Sequence, residues 1–242
     1  MATISGNLQA ARARIERSAR GAGRDATQIT LLAASKSHPP ERLREACAAG
    51  QRVFGENYVQ EAVEKMDALA DLRGLGLEWH MIGPLQGNKA RLAAERFDWV
   101  QTVDRERIAR RLSDARPSEL PPLNVLIQVN VSGEASKSGA APRDVPALAR
   151  ATAALPRLKL RGLMAIPEPG GAEVQQRARF RAVRELFEGL RAEGLPLDTL
   201  SMGMSDDLEA AIAEGSTMVR IGTAIFGPRE QRLAGPVHCL SA

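Results

Sequence analysis

Apolar positions along the chain follow two periods that take turns. Leu8, Ala11, Ile15 and Ala19 recur at helical spacing over the first 22 residues, and Gly21 and Gly23 end that pattern. Apolar runs of strand length then predict strands over residues 29–36, 53–58, 78–83, 99–103, 124–130, 158–166, 200–204 and 218–226. Stretches rich in Ala, Leu, Arg and Glu lie between them. They predict helices over 40–49, 60–72, 88–96, 105–115, 145–155, 174–193 and 206–214. Gly50, Gly194 and Gly215 each close such a stretch, as helix-stop glycines do.

Runs such as Leu31-Leu32-Ala33-Ala34 and Val125-Leu126-Ile127 are apolar without alternation, the signature of strands covered on both faces. Strand–helix alternation predicts a parallel sheet. Eight repeats in 242 residues predict an α/β fold of the closed (β/α)8 barrel type, with an extra N-terminal helix. The alternative, an open doubly wound sheet, usually carries a Gly-rich turn after its first strand; here that strand ends Ala33-Ala34-Ser35-Lys36-Ser37. The loops marked by Pro117, Pro121 and Pro122 and by Pro167, Pro169, Gly170 and Gly171 fall inside the alternation. Residues 1–242 are therefore expected to form one domain.

Composition changes this picture little. Hydrophobic residues make up 44% and charged residues 26%, an ordinary globular balance. No stretch approaches the roughly 18 uncharged apolar residues of a membrane helix; the charge-free run 120–133 is too short and holds Asn and Gln. The first 30 residues lack the apolar core of a secretory signal, and Glu16 and Asp25 argue against a transit peptide. Net charge is +4, basic residues are interspersed with acids, and aromatic content is 3%, which argues against a nucleic-acid binder. Cys47 and Cys239 stand in no metal-ligand spacing and suggest no exported, disulfide-held fold, so the cytoplasm is the expected compartment.

The scarce lysines direct attention to chemistry. Lys36 ends the first apolar run, where a barrel strand delivers its last residues to the mouth, the place of active sites in this fold. Partial desolvation there is expected to favour the neutral amine that attacks an aldehyde; the plain alternative is a strand-end lysine reaching into water. Lys137, in a polar Ser/Glu/Lys loop, is the rival amine. Ser201-Met202-Gly203-Met204-Ser205 closes the seventh strand and Arg220-Ile221-Gly222-Thr223-Ala224-Ile225-Phe226-Gly227 covers the eighth. Loops after these two strands commonly hold phosphate in barrels, and glycines with Ser201 and Thr223 supply amide and hydroxyl donors. Ser205 also reads as the cap of the helix beginning Asp206-Asp207-Leu208-Glu209.

Arg220 lies two residues before Gly222 and so faces the same side, inside the barrel. There it needs a partner: a ligand's ring nitrogen or anionic group, or a carboxylate such as Glu56. Asn57, after the second strand, reads either as a ligand contact or as a helix cap. His80, within the third strand, reads as a core histidine before a catalytic base. A lysine facing a phosphate cradle implies an aldehyde that bears a phosphate. A sugar phosphate on a Schiff-base aldolase and pyridoxal 5′-phosphate (PLP) both satisfy this, and Arg220 favours PLP.

Five blocks carry a family resemblance: Ala34-Ser35-Lys36, Phe54-Gly55-Glu56-Asn57-Tyr58, the stretch from Trp79-His80-Met81-Ile82-Gly83 to Lys89, Ser201–Ser205, and Val219-Arg220 through Gly227. In that order they resemble the PLP homeostasis protein family, a single-domain relative of the amino-terminal barrel of alanine racemase. Val129-Asn130 with Glu134, Lys137 and Gly139 extends the match. The resemblance implies that Lys36 holds PLP as an internal aldimine. It implies that Ser201, Gly222 and Thr223 bind the phosphate with Ser205 nearby, that Arg220 lies against the pyridine nitrogen, and that Asn57 lies beside the cofactor. An Arg does not readily give that nitrogen a proton, so the cofactor becomes a poorer electron sink.

Little chain follows Phe226, so the racemase's second domain with its tyrosine base is not expected, and the one tyrosine is Tyr58. The implied function is PLP binding for intracellular homeostasis: buffering, or delivery to PLP-dependent apo-enzymes, by a non-catalytic monomer free of membrane and nucleic acid. The alternative is an active PLP-dependent racemase or lyase.

Overall fold

In the computed structural model, residues 3–131, 138–168 and 170–228 are described. Within them the parallel strands β1 (Thr30–Ala34), β2 (Val53–Glu56), β3 (Glu78–Met81), β4 (Trp99–Val103), β5 (Leu123–Val129), β6 (Leu158–Ala165), β7 (Thr199–Ser201) and β8 (Met218–Ile221) close into a barrel in sequence order. The β1–β8 pairing, with Leu32 opposite Arg220, completes the ring. Helices α1 (Ile4–Gly21), α2 (Pro40–Ala48), α3 (Val59–Ala68), α4 (Ala90–Arg96), α5 (Glu106–Ala115), α6 (Val145–Ala153), α7 (Glu173–Ala192), α8 (Leu208–Ala213) and α9 (Thr223–Phe226) accompany them. Among the described residues, no helix is long and apolar enough to cross a membrane.

Strand alternation sorts the core into two shells. Leu31, Ala33, Phe54, Val219 and Ile221 point outward into the large cluster shared with the helices. Leu32, Ala34, Ile82 and Met218 form one apolar group inside the barrel, and Trp99, Leu126 and Met164 form another. The first helix buries Ile4, Leu8, Ala11, Ile15 and Ala19 along one stripe, and the Thr3 side chain caps its start by accepting from Gly6 N at 3.1 Å.

The run 218–226 is not one strand. Gly222 turns the chain (φ −115°, ψ −80°), and the residues after it coil into α9. The predicted helix 60–72 likewise divides, into α3 and a 3-10 turn over Ala70–Leu75. The rival amine Lys137 lies outside the described residues, as does the C-terminal segment from residue 229 onward.

Candidate functional site

Lys36 follows β1 directly, half-buried, two residues beyond the inward-facing Ala34. Its neighbours are fixed by a buried charge cluster. Lys65, on α3, donates from Nζ to Ser35 O at 2.8 Å, to Glu56 Oε1 at 2.7 Å and to Glu61 Oε1 at 2.7 Å. Ser35 Oγ donates to Glu56 Oε1 at 2.6 Å, and Ser37 N donates to Glu61 Oε1 at 2.6 Å. Glu56–Lys65–Glu61 thus grips the residue on each side of Lys36.

Ser37 is the one described non-glycine residue with positive φ, at 63°. A left-handed backbone at a non-glycine residue persists only where the surroundings over-determine it, and such residues cluster at functional sites. Here the Glu61 contact supplies that constraint. Burial pushes the Glu56 carboxyl up, and Lys65 and Ser35 pull it back. Removing one partner of a buried pair of this kind costs about 3–5 kcal/mol, because a charge is left stranded.

This arrangement corrects one pairing considered for Arg220. Glu56 faces outward to Lys65 and not into the barrel. Arg220, only 4% exposed, donates from one terminal nitrogen to Ser201 O and Ser201 Oγ, both at 2.7 Å, and from the other to Ala165 O at 2.8 Å. Burial pulls its guanidinium down to about 10, so it remains a cation at neutral pH. Ser201, to which the resemblance gives a phosphate role, is engaged within the barrel. Its hydroxyl lies fully buried within the barrel, accepts from Arg220 and gives its single proton to Gln101 Oε1 at 2.6 Å.

Gly222 follows Arg220 at the mouth. A Cβ there would stand 2.9 Å from Ala34 O, so only glycine lets the end of β8 approach the strand end that carries Lys36. Thr223 and Ala224, exposed, begin α9, where first-turn N–H groups have no intrahelical acceptor. The far end of α9 is anchored: Asn7 donates to Ile225 O at 2.8 Å and Arg42 to Phe226 O at 3.0 Å.

Ser205 is half-buried in the turn before α8, and its carbonyl accepts from Arg14 at 2.6 Å. It does not cap α8. That helix starts at Leu208 after Asp207, whose Oδ1 accepts from Met204 N at 2.6 Å. Asn57, half-buried, sits at the end of β2 with Gly83 pressed on its backbone; a Cβ on Gly83 would fall 2.3 Å from Asn57 O. α1 therefore braces both halves of the Ser205–Thr223 wall, through Arg14 and Asn7.

Among the described residues, the mouth thus brings Lys36 near amide and hydroxyl groups able to donate to an anion, with the buried Arg220 guanidinium on the interior side of β8. Lys65, Glu61, Gln101 and Arg14 hold the candidate site residues by hydrogen bonds, and sequence reasoning passed over them. Only the four-residue spacing of Glu61 and Lys65 offered a signal, and on a helix it normally marks a solvated pair.

Fold and mouth together define the class: a barrel of the kind described as the alanine racemase N-terminal domain, whose family model matches residues 6–230. The chain is 60% identical over 230 residues to the pyridoxal phosphate homeostasis protein of Pseudomonas aeruginosa, covering 95% of this chain and 97% of that one. To the protein of the same name from Escherichia coli it is 57% identical, covering 95% and 98%. The chain belongs to this family of pyridoxal phosphate homeostasis proteins.

Among solved structures, PipY of Synechococcus elongatus with PLP bound superposes with a TM-score of 0.81 at 38% identity, covering 93% of this chain and all (100%) of that one. Alanine racemase from Corynebacterium glutamicum shares the fold, with a TM-score of 0.66 at 19% identity, covering 98% of this chain and 63% of that one.

Proposed function

We propose that this chain binds PLP in the barrel mouth and serves intracellular PLP homeostasis, buffering the cofactor and delivering it to PLP-dependent apo-enzymes, without turnover of its own. The observation that carries this reading is the close approach of Gly222, two residues after Arg220, to the backbone of Ala34, two residues before Lys36. When bound, the cofactor supplies an aldehyde to which an amine adds reversibly with loss of water.

Lys36 supplies the amine, held in place through Ser35 and Ser37. Thr223, the backbone at Gly222 and the Ser205 turn receive the phosphate. Asn57 lines the β2 side. Arg220 directs an N–H at the ring nitrogen and keeps its own proton, because a guanidinium at about 10 is still charged at neutral pH. A partner that donates without releasing its proton leaves the ring a weak acceptor of electrons, which supports storage over carbanion chemistry. Tyr58, exposed beside Asn57, is the sole tyrosine, and racemisation needs proton-transfer groups on both substrate faces. Residues 1–242 act as one unit in this reading, a cytoplasmic monomer.

Absorbance tests it. The purified protein mixed with PLP is expected to show a band near ~420 nm that Lys36→Ala abolishes. An unchanged band in Lys36→Ala would reject Lys36. Steady turnover of an amino acid, lost in the same variant, would replace the homeostasis role by the racemase or lyase reading.

A further inference from the structure

A line of buried polar side chains crosses the barrel interior from the mouth to its opposite end, and donor chemistry fixes its direction. Arg220 can only donate, so Ser201 Oγ accepts at 2.7 Å. Ser201 then gives its proton to Gln101 Oε1 at 2.6 Å. That orients the Gln101 amide, whose Nε2 lies 2.8 Å from His80 Nδ1 and must donate. Nδ1 therefore accepts, and the imidazole proton sits on Nε2, 2.7 Å from Glu78 Oε1. Glu78, at the start of β3 with its side chain 41% exposed, can only accept. Every donor points away from the mouth, from a group without acceptors to a group without donors.

Neighbours hold the line still. His80 stacks on Trp99 with centroids 5.0 Å apart and planes 11° from parallel. Gln101 Nε2 also contacts Met218 Sδ at 3.1 Å. Leu32, Ile82 and Met218 on one side and Leu126 and Met164 on the other keep the surroundings apolar, which strengthens each bond and penalises any break. Burial also pushes the His80 imidazole down, against the raising effect of Glu78. Aliphatic side chains filling the same space would be at least as stable, so stability alone does not account for the line.

We propose that Gln101 and His80 are positioning residues that, through Ser201, fix the Arg220 guanidinium against the ring nitrogen of the bound cofactor. This rests on the PLP reading above. Arg220 is held by two backbone carbonyls, Ser201 O and Ala165 O, and by one side chain, the Ser201 hydroxyl, so the hydroxyl is the contact through which Gln101 adjusts the guanidinium. With the Gln101 amide in this orientation the line takes the neutral His80 ring with its proton on Nε2; a protonated ring would require the amide to turn over.

The test uses the full chain with PLP as the probe. Gln101→Leu fills the same volume and removes both junctions. It is expected to weaken PLP retention by about 10- to 100-fold and to displace the absorbance maximum, because the contact it loosens is charge-assisted. Gln101→Glu is the rescue: its carboxylate accepts from Ser201 and from Nδ1–H of a doubly protonated His80 whose Nε2–H still meets Glu78, so retention is expected within about 3-fold of wild type. Wild-type retention and an unmoved band in Gln101→Leu would overturn the proposal.

Nitrogen-15 NMR of His80 in the PLP-free protein at pH 7 provides a second readout, independent of whether Gln101→Leu folds. Wild type is expected to show the neutral Nε2–H form, and Gln101→Glu the doubly protonated ring. An Nδ1–H or doubly protonated ring in wild type would overturn the line itself. If wild type shows no PLP band at all, the cofactor reading fails, and the NMR result still decides the line.

Discussion

The two sides of the mouth are held by opposite kinds of electrostatics. On the β1 side, full charges do the work: Glu56, Lys65 and Glu61 close around Ser35 and Ser37 in a compact cluster between β2 and α3. On the β8 side, a chain of neutral groups runs from Arg220 through Ser201 and Gln101 to His80. The charged cluster is strong and short-ranged. It suits a loop that must hold a left-handed residue beside a reactive lysine. Beyond the cationic Arg220, the neutral groups carry direction over a longer path without adding further buried charge, which suits the orientation of one planar guanidinium.

The largest effect should come from breaking the charged side. Lys65→Met strands Glu56 and Glu61 and is expected to cost about 3–5 kcal/mol, read from denaturant midpoints at constant slope. Adding Glu56→Gln should return part of that loss; full additivity would show that the pair is not coupled. Next in size is Gly222→Ala. Its new Cβ meets a backbone carbonyl, so roughly 1–3 kcal/mol and a clear loss of PLP retention are expected.

The neutral side should reveal itself through pH. The folded state keeps the His80 pKa below its ordinary 6.5. Its stabilising contribution is therefore fully present above that value and falls as the pH drops from there toward the folded pKa. One proton gives a slope of up to about 1.4 kcal/mol per pH unit, with Glu78 and Asp98 as the charged neighbours. Equilibrium unfolding between neutral and mildly acidic pH should show this slope in wild type and not in His80→Gln; equal slopes would contradict a buried neutral ring. The smallest effect belongs to Ser37→Gly, which should relieve backbone strain, gain under about 1 kcal/mol and loosen PLP retention. Tighter retention would mean that the Ser37 strain opposes the site.

Much of the fold was legible because each strand and helix announces itself locally. The positions of Lys36 at a strand end and of Arg220 inside the barrel were legible too, since a strand end and a period of two set them without knowledge of distant partners. What was not legible depends on pairings across the barrel. Glu61 and Lys65 look like a solvated helical pair until β2 turns Glu56 outward to meet them. Ser201 and Gln101 stand 100 positions apart, and nothing local pairs the serine hydroxyl with a glutamine across the barrel. The run after Gly222 is apolar and β-branched enough to read as strand; the turn at Gly222 decides otherwise.

Borohydride reduction of the PLP-loaded protein, followed by peptide mass spectrometry, tests the central claim most directly. A pyridoxyl-phosphate adduct on the peptide carrying Lys36 is the expected result. The same adduct on Lys137 or another amine, with Lys36 unmodified, would contradict it.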